Sequence, residues 1–434
     1  MTGHSSGTPD IHNLNDSLWY ATAIPEKKSS PLQGKRVADV AVIGGGFTGC
    51  SAALHLALQG AAVVLVESNE IGWGGSGRNA GLCNAGLWLD PDDVMDRVGH
   101  HHGTKLIAGL TETPKLVSNI IGRYNIDCDW DPRGVVKAAF KPSHVKGLDR
   151  HAEQWRKLGA DIESFDREQT SNILGTTRYH GSIIDHRSGT LHPLSYARGL
   201  ARAAQTEGAS IHTHSPALTL ERDGSKWNVS TPDGSICADS VVLATNAYSN
   251  SLVPGLKESV IPVGCFMCAT EPLGQNIVRT ILPAGGAMYD TQPSMYFARL
   301  DRERRLILGT LGYFRIKDLS DKRTWPNRIM RWLFPQLENV GWTHHWSGTI
   351  GFTPDHVPRL YSPEPGLYIT LGYNGRGIGP GTFFGKMLAG WIGGTPESDL
   401  PLPIDPIKPI TFRHTRQLFY QTAFRASLLR GFVS

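Results

Sequence analysis

Gly44, Gly46 and Gly49 in "VIGGGFTG" leave bare backbone at the spacing G-x-G-x-x-G. In that unit the first glycine permits a tight turn and the second lets a phosphate approach the main chain. The third lets a helix close on its strand. Phe47 and Thr48 open the helix, whose free N–H groups and positive dipole end favour an anion. Glu67 and Ser68 follow at the end of the apolar run "AAVVLVE", 23 positions after Gly44 for the acid. A carboxylate placed there accepts hydrogen bonds from ribose hydroxyls. Strand, glycine turn, helix, strand and acid in this order point to a bound dinucleotide.

A second glycine-rich stretch, "IGWGGSGRNAGL", follows Glu67 directly. Gly75, Ser76, Gly77, Arg78, Asn79, Ala80, Gly81 and Leu82 form a run with little bulk and one cation, Arg78, able to make charge-assisted bonds to phosphate. A nicotinamide site needs little beyond the first unit, so this second cradle favours FAD over NAD.

With "VIGGGFTGCSAALHLALQGAAVVLVE", the stretch "IGWGGSGRNAG" resembles the FAD-dependent amine and amino-acid oxidases related to D-amino acid oxidase, glycine oxidase and sarcosine oxidase. The S-G-R-N-x-G form is most similar to the branch holding γ-glutamylputrescine oxidase and bacterial L-pipecolate oxidase. "VVLATNAYS", with Thr245, Asn246 and Ala247, resembles the family's second flavin segment. "GYNGRGIGPG", with Gly372, Gly375, Arg376, Gly377 and Ile378, resembles its third. The resemblance implies that Ser76 to Ala80 run along the pyrophosphate and flavin edge, and that Ala217 presents backbone to the adenine. It also implies that Gly375 to Ile378 lie against the isoalloxazine at a helix N-terminus, where the dipole stabilises negative charge.

For the substrate side the resemblance offers candidates and leaves alternatives. Arg299 in "YFARL" falls near the pocket, as a carboxylate clamp or as a charged sheet edge. Trp346 and Tyr373 read as aromatic walls beside the flavin or as ordinary core. Arg376 stands where relatives often carry His, and either raises the flavin's electron affinity or binds a substrate carboxylate. His344 and His345 are weaker candidates for the pocket. Gly348 occupies the position of the cysteine that anchors FAD covalently in sarcosine-oxidase-type members, which implies a non-covalent cofactor. The implied reaction oxidises the C–H beside an amine nitrogen by hydride transfer to flavin N5, with hydrolysis of the imine product. A cyclic imino acid such as L-pipecolate or a γ-glutamylated polyamine is the implied substrate, with oxygen or a quinone carrier as acceptor. Alternatives are a D-amino acid dehydrogenase passing electrons to a quinone, an NAD-dependent dehydrogenase, and a flavoprotein without catalysis.

The elements that must position these residues alternate between strand and helix at the start, middle and end of the 434-residue chain. This length exceeds one ordinary core. The fold expected is α/β (α+β overall), a Rossmann-like FAD-binding domain assembled from residues 37–95, 150–260 and 345–405. An inserted antiparallel-sheet substrate domain takes 96–149 and 261–344. Residues 1–36 form a polar lead expected to pack late or on the surface, and 406–434 a basic tail. That tail carries Lys408, Arg413, Arg416, Arg425 and Arg430 with no acid, interleaved with Leu418, Phe419, Phe424, Leu428 and Leu429. It is expected to dock on the protein's own surface, with peripheral membrane contact as the second reading.

A net charge of +4 without a dense basic block argues against nucleic acid. Six cysteines, including the Cys265/Cys268 pair inside an apolar strand-like run, suggest neither a disulfide framework nor a zinc site. The three consecutive histidines His100 to His102 cannot converge on one metal and read as a solvated helix end. No secretory signal pattern opens the chain and no apolar run reaches membrane-spanning length, so the expectation is a cytoplasmic enzyme without metal.

Overall fold

The computed structural model describes residues 14–26, 29–312 and 320–430, with side chains up to Ser427. Two large sheets organise it. In the first, strand Gly34–Ile43 lies between Gly234–Leu243 and Val63–Val66, parallel to both. Ser210–His212 extends one side and Leu367–Leu371 the other, again in parallel. All four residues of Val63–Val66 are buried, as a parallel strand covered on both faces requires. Helix Phe47–Leu58 is rich in Ala and Leu, good helix formers, and is buried almost all round. It stops ahead of Gly60, whose positive φ of 84° ends the turn.

The second sheet runs in the order Trp342–Phe352, Ile261–Pro272, Arg305–Leu311, Tyr296–Leu300, Ala287–Asp290, Val135–Ala138, Ser182–Asp185 and Ile162–Phe165. Its pairs are antiparallel except Ala287–Asp290 against Val135–Ala138. The expected segment boundaries therefore shift. Ile162–Phe165 and Ser182–Asp185, read with the dinucleotide segments, hydrogen-bond into the second sheet, and Trp342–Phe352 is its edge strand. Helices Pro91–Thr111 and Thr113–Arg123, read with the substrate segments, put Leu106, Leu110, Val117 and Ile120 into one core with Val42, Leu65 and Leu388 of the first sheet's layer. Helical periodicity shows an apolar face but not which sheet receives it.

The lead also departs from expectation. Leu14, Leu18 and Trp19 are buried, and the Trp19 indole donates to the Asn79 carbonyl at 2.8 Å. Its ring meets Trp346 edge-on at 5.8 Å. The lead is thus a wedge under the second glycine stretch; residues 1–13 lie outside the described residues. His100 to His102 follow a break at Gly99, with φ 78°, inside Pro91–Thr111. The six cysteines are all free. Cys265 and Cys268 point to opposite faces of their strand, into different cores. No described helix is long and apolar enough to cross a membrane.

His192 ties the lead to the first layer. Its Nδ1 accepts from the Ser195 N–H that opens helix Pro193–Thr206, at 3.1 Å, while Nε2 meets Thr22 Oγ1 at 3.1 Å. Burial, with Arg299 nearby, pushes its pKa down to about 3, so the folded imidazole is neutral. The unfolded chain binds the proton first as pH falls below the ordinary value of about 6.5. Stability is therefore full above that pH and declines toward pH 3. His192→Asn keeps a capping oxygen but cannot titrate. Its denaturation midpoints between pH 6.5 and 4 should fall less steeply than the parent's, by up to about 1.4 kcal/mol per pH unit. Equal slopes would remove His192 from the acid response.

Candidate functional site

A cavity of about 880 Å³ runs from the first glycine turn to the second sheet. Gly44, Gly46, Phe47 and Thr48 line its start. Gly44 has φ +110°, and a Cβ there would sit 2.9 Å from the Ala244 carbonyl oxygen. At Gly46 a Cβ would meet Ser76 Oγ at 2.8 Å. That hydroxyl accepts from the Phe47 N–H at 3.0 Å, so the second glycine stretch caps the helix opened by the first. Glu67 accepts from the N–H of Gly45 at 2.6 Å and of Asn69 at 3.0 Å. Burial pushes its carboxyl up, against the pull of those backbone bonds. Ser68 and Ala217 line the same cavity, Ala217 two residues beyond Ser215, whose N–H donates to the Glu67 carbonyl.

Farther along, Gly75, Ser76, Arg78, Asn79, Ala80 and Leu82 form one wall, and Thr245, Asn246 and Ala247 another. Asn246 Oδ1 accepts from the Gly372 N–H at 3.1 Å, joining the segment "VVLATNAYS" to the glycine-rich segment that opens at Gly372. Tyr373, Gly375, Gly377 and Ile378 bring the N-terminus of helix Ile378–Ile392 to the cavity. Two helix N-termini therefore face one elongated space, each carrying about half a positive charge. Bare glycine backbone, an acid at one end and these two dipoles fit a dinucleotide bearing a second, electron-accepting ring system.

The Arg78 guanidinium is buried, with Nε donating to the Trp73 carbonyl at 2.7 Å and Nη1 to Ser347 at 3.0 Å. It lies over the Trp73 ring and locks the loop to strand Trp342–Phe352. Gly348 lines the cavity against it, and a Cβ there would come within 3.1 Å of the Arg78 Cβ.

Other named positions pack beside the cavity without lining it. A Cβ on Gly49 would strike the Gly44 carbonyl oxygen at 1.9 Å, and one on Gly77 the Gly72 oxygen at 2.4 Å. Gly81 (φ +78°) and Gly372 (φ +81°) are equally confined. The substrate-side expectations change more. Arg299 sends Nη1 to the carbonyls of Leu191 at 2.7 Å and Gly81 at 3.3 Å, beside Trp19, and does not face the cavity. Trp346 is fully buried, its indole donating to the Arg78 carbonyl at 3.0 Å. Arg376 turns away from the cavity. Nη1 reaches the Ala85 carbonyl at 2.6 Å and Nη2 the Tyr289 hydroxyl at 3.0 Å. It borders a separate water-sized polar space with Lys137, His151 and Asp185. Of the four catalytic candidates Tyr373 alone lines the cavity, its hydroxyl 2.8 Å from Thr48 Oγ1. His344 and His345 are not on the cavity wall, His345 stacking on Phe266.

Residues without a motif complete the walls. Trp88 donates to the Asn374 carbonyl at 2.6 Å and packs edge-on against Tyr289. Burial raises the Tyr289 pKa, so it stays a neutral phenol while accepting from Arg376. Cys265, Phe297 and Leu311 of the second sheet face them, with Met295, Phe352 and His356 alongside. Burial lowers the His356 pKa and holds that ring neutral near pH 7. Among the described lining residues the charged side chains are Glu67 and Arg78. No group of three potential metal-ligating side chains occurs among the described residues.

Arg299→Met tests the scaffold role. Losing bonds to buried carbonyls should lower unfolding free energy by about 2–3 kcal/mol. The KM of the folded fraction should stay within twofold of the parent. A KM raised more than tenfold with unchanged stability would restore the clamp.

Residues 39–391 match the family model described as FAD dependent oxidoreductase (DAO). The chain is 32% identical over 387 residues to the probable oxidoreductase OrdL of Haemophilus influenzae, covering 88% of this chain and 89% of that protein. It is 30% identical over 400 residues to the gamma-glutamylputrescine oxidoreductase of Escherichia coli, with 92% and 91% covered. The crystal structure of glycine oxidase from Geobacillus kaustophilus superposes with a TM-score of 0.72 at 22% identity, covering 86% of this chain and 99% of that one. With its three glycine-rich segments gathered on one cavity, the chain belongs to the DAO family of FAD-dependent oxidoreductases, and FAD is its cofactor.

Proposed function

We propose that the protein oxidises the C–H bond beside the nitrogen of a small-molecule amine. The observation that carries this reading is the continuity of the cavity, from the dinucleotide cradle to a chamber walled by Tyr289, Trp88 and Phe297. Bound FAD supplies the two-electron acceptor, so the substrate exchanges its α-C–H for a C=N bond that water then hydrolyses. The protein's part is orientation and exclusion of water. The phenol of Tyr289, fixed by Arg376, offers a neutral polar contact in a largely apolar wall. Desolvation in that wall disfavours the ammonium form and delivers the amine neutral, as oxidation at the adjacent carbon requires.

Cyclic imino acids and γ-glutamylated polyamines, the substrates implied by resemblance, both carry a carboxylate. The two arginines considered for binding it do not line the cavity and are engaged with carbonyls and the Tyr289 phenol. The wider class, amines, is the reading best supported. FAD is held without a covalent bond in this reading, because Gly348 has no side chain to form one.

Anaerobic mixing of the holoenzyme with a panel of amines should bleach the flavin for at least one of them. Apparent affinity should rise up to tenfold per pH unit below the solution pKa of that amine and flatten above it. Admitting air, then a quinone, identifies the acceptor by the rate at which colour returns. Acid denaturation should release all the flavin. Failure of every amine to bleach it would refute the activity, and colour retained on the precipitated protein would refute non-covalent binding.

A further inference from the structure

The C-terminal helix Arg413–Arg430 lies beyond residues 39–391, the part matched by the family model, yet it completes the cavity. Phe419, Tyr420, Ala423 and Phe424 all line it. They fall at i, i+1, i+4 and i+5, one face of a helix. Tyr420 stacks on Phe424 at 5.9 Å and meets Phe352 of the second sheet edge-on at 5.7 Å. Phe424 is 5% exposed, whereas Phe419 is 68% exposed at the mouth. Both ends of the described helix are pinned. Arg413 Nε donates to the Val260 carbonyl at 2.7 Å, and Ser294 Oγ bonds Ser427 Oγ at 3.1 Å. The side chains of Leu428, Leu429 and Arg430 lie outside the described residues. The basic tail thus docks on the protein, and its apolar face looks into the site.

We infer that this helix is the roof of the substrate chamber, and that through Tyr420, Phe424 and Phe419 it selects amines bearing an apolar alkyl or aryl substituent. The inference rests on the amine-oxidising reading above and narrows it. Facing the roof are Phe297, Met295 and Leu311, so the described walls offer a substituent dispersion contacts and removal from water. The charged lining groups, Glu67 and Arg78, belong to the cofactor cradle: Glu67 bonds the first glycine turn, and Arg78 the loop that caps the first helix. A substrate defined by its own carboxylate finds no cationic side chain among the described lining residues of the chamber. An apolar substituent finds Phe297, Met295 and Leu311 on one side and the aromatic roof on the other.

The experiment uses holoenzyme and two measurements. Binding is read first, by the perturbation of flavin absorbance with benzylamine, N-methylbenzylamine and straight-chain N-methylalkylamines, under anaerobic conditions. Affinity should tighten about threefold to fourfold with each added methylene until the chamber is full. Tyr420→Ala should weaken benzylic amines at least tenfold. Phe419→Ala, at an exposed position that does not carry the core, should flatten the gradient for the longest chains. Flavin reduction is read second: in both variants the amine concentration giving half the limiting rate should rise by the factor lost in affinity. A flat chain-length response would overturn the roof. So would unchanged affinities in both variants, or tighter binding of γ-glutamylputrescine or L-pipecolate than of the apolar amines. If the amines bind with the expected gradient but none reduces the flavin, the activity reading fails and the roof stands.

Discussion

The close approach of helices Phe47–Leu58 and Ile378–Ile392 is the constraint on which the site depends. A Cβ at Gly385 would lie 2.5 Å from the Thr48 carbonyl oxygen and 2.6 Å from the Ser51 Cβ. Only glycine lets the backbones meet at this depth. Ser51 Oγ then reaches the Thr382 carbonyl at 2.7 Å, and Tyr196 joins the Thr382 hydroxyl at 3.1 Å. The two helices start more than 300 residues apart in sequence, yet both aim their N-termini at one cavity. In the proposed reading one dipole would serve the phosphates of FAD and the other its electron-accepting ring. Everything else positions walls around that pair.

The second sheet supplies those walls, and two buried arginines, Arg299 on that sheet and Arg376 in the turn before helix Ile378–Ile392, explain how. Arg299 and Arg376 are each nearly inaccessible; Arg299 braces the carbonyls of Leu191 and Gly81, and Arg376 the Ala85 carbonyl and the Tyr289 phenol. Burial pushes the Arg299 pKa down to about 10, which still leaves it charged at neutral pH. A charge so placed must be surrounded by acceptors or be lost. Here the acceptors are the loop carbonyls that shape the cofactor cradle. Both arginines act as fasteners between the layers, and the chamber keeps an apolar interior.

What could be read before folding follows from how local each requirement is. Gly44, Gly46 and Gly49, Glu67, and the helix opened at Ile378 answer to needs met within a few residues, so their patterns are visible in the chain. The direction of Arg299 is set by Leu191, and that of Arg376 by Ala85 and Tyr289, contacts far away in sequence. Charge alone suggested a clamp; topology decides otherwise. Trp19 sits in a polar segment, and only its meeting with Asn79 and Trp346 explains its burial. The tail's aromatic residues were legible as an apolar face. That this face covers the cavity depends on Val260 and Ser294, each more than a hundred residues earlier, which hold Arg413 and Ser427.

The most direct test of the whole account is a crystal structure of the FAD-loaded protein with an unreactive amine analogue bound. The account predicts the pyrophosphate at the N-terminus of Phe47–Leu58, the ribose hydroxyls on Glu67 and the isoalloxazine against Gly375 to Ile378. The amine nitrogen should lie between the ring and Tyr289, under Tyr420. An isoalloxazine turned away from the second sheet, or an analogue bound outside the roofed chamber, would contradict it.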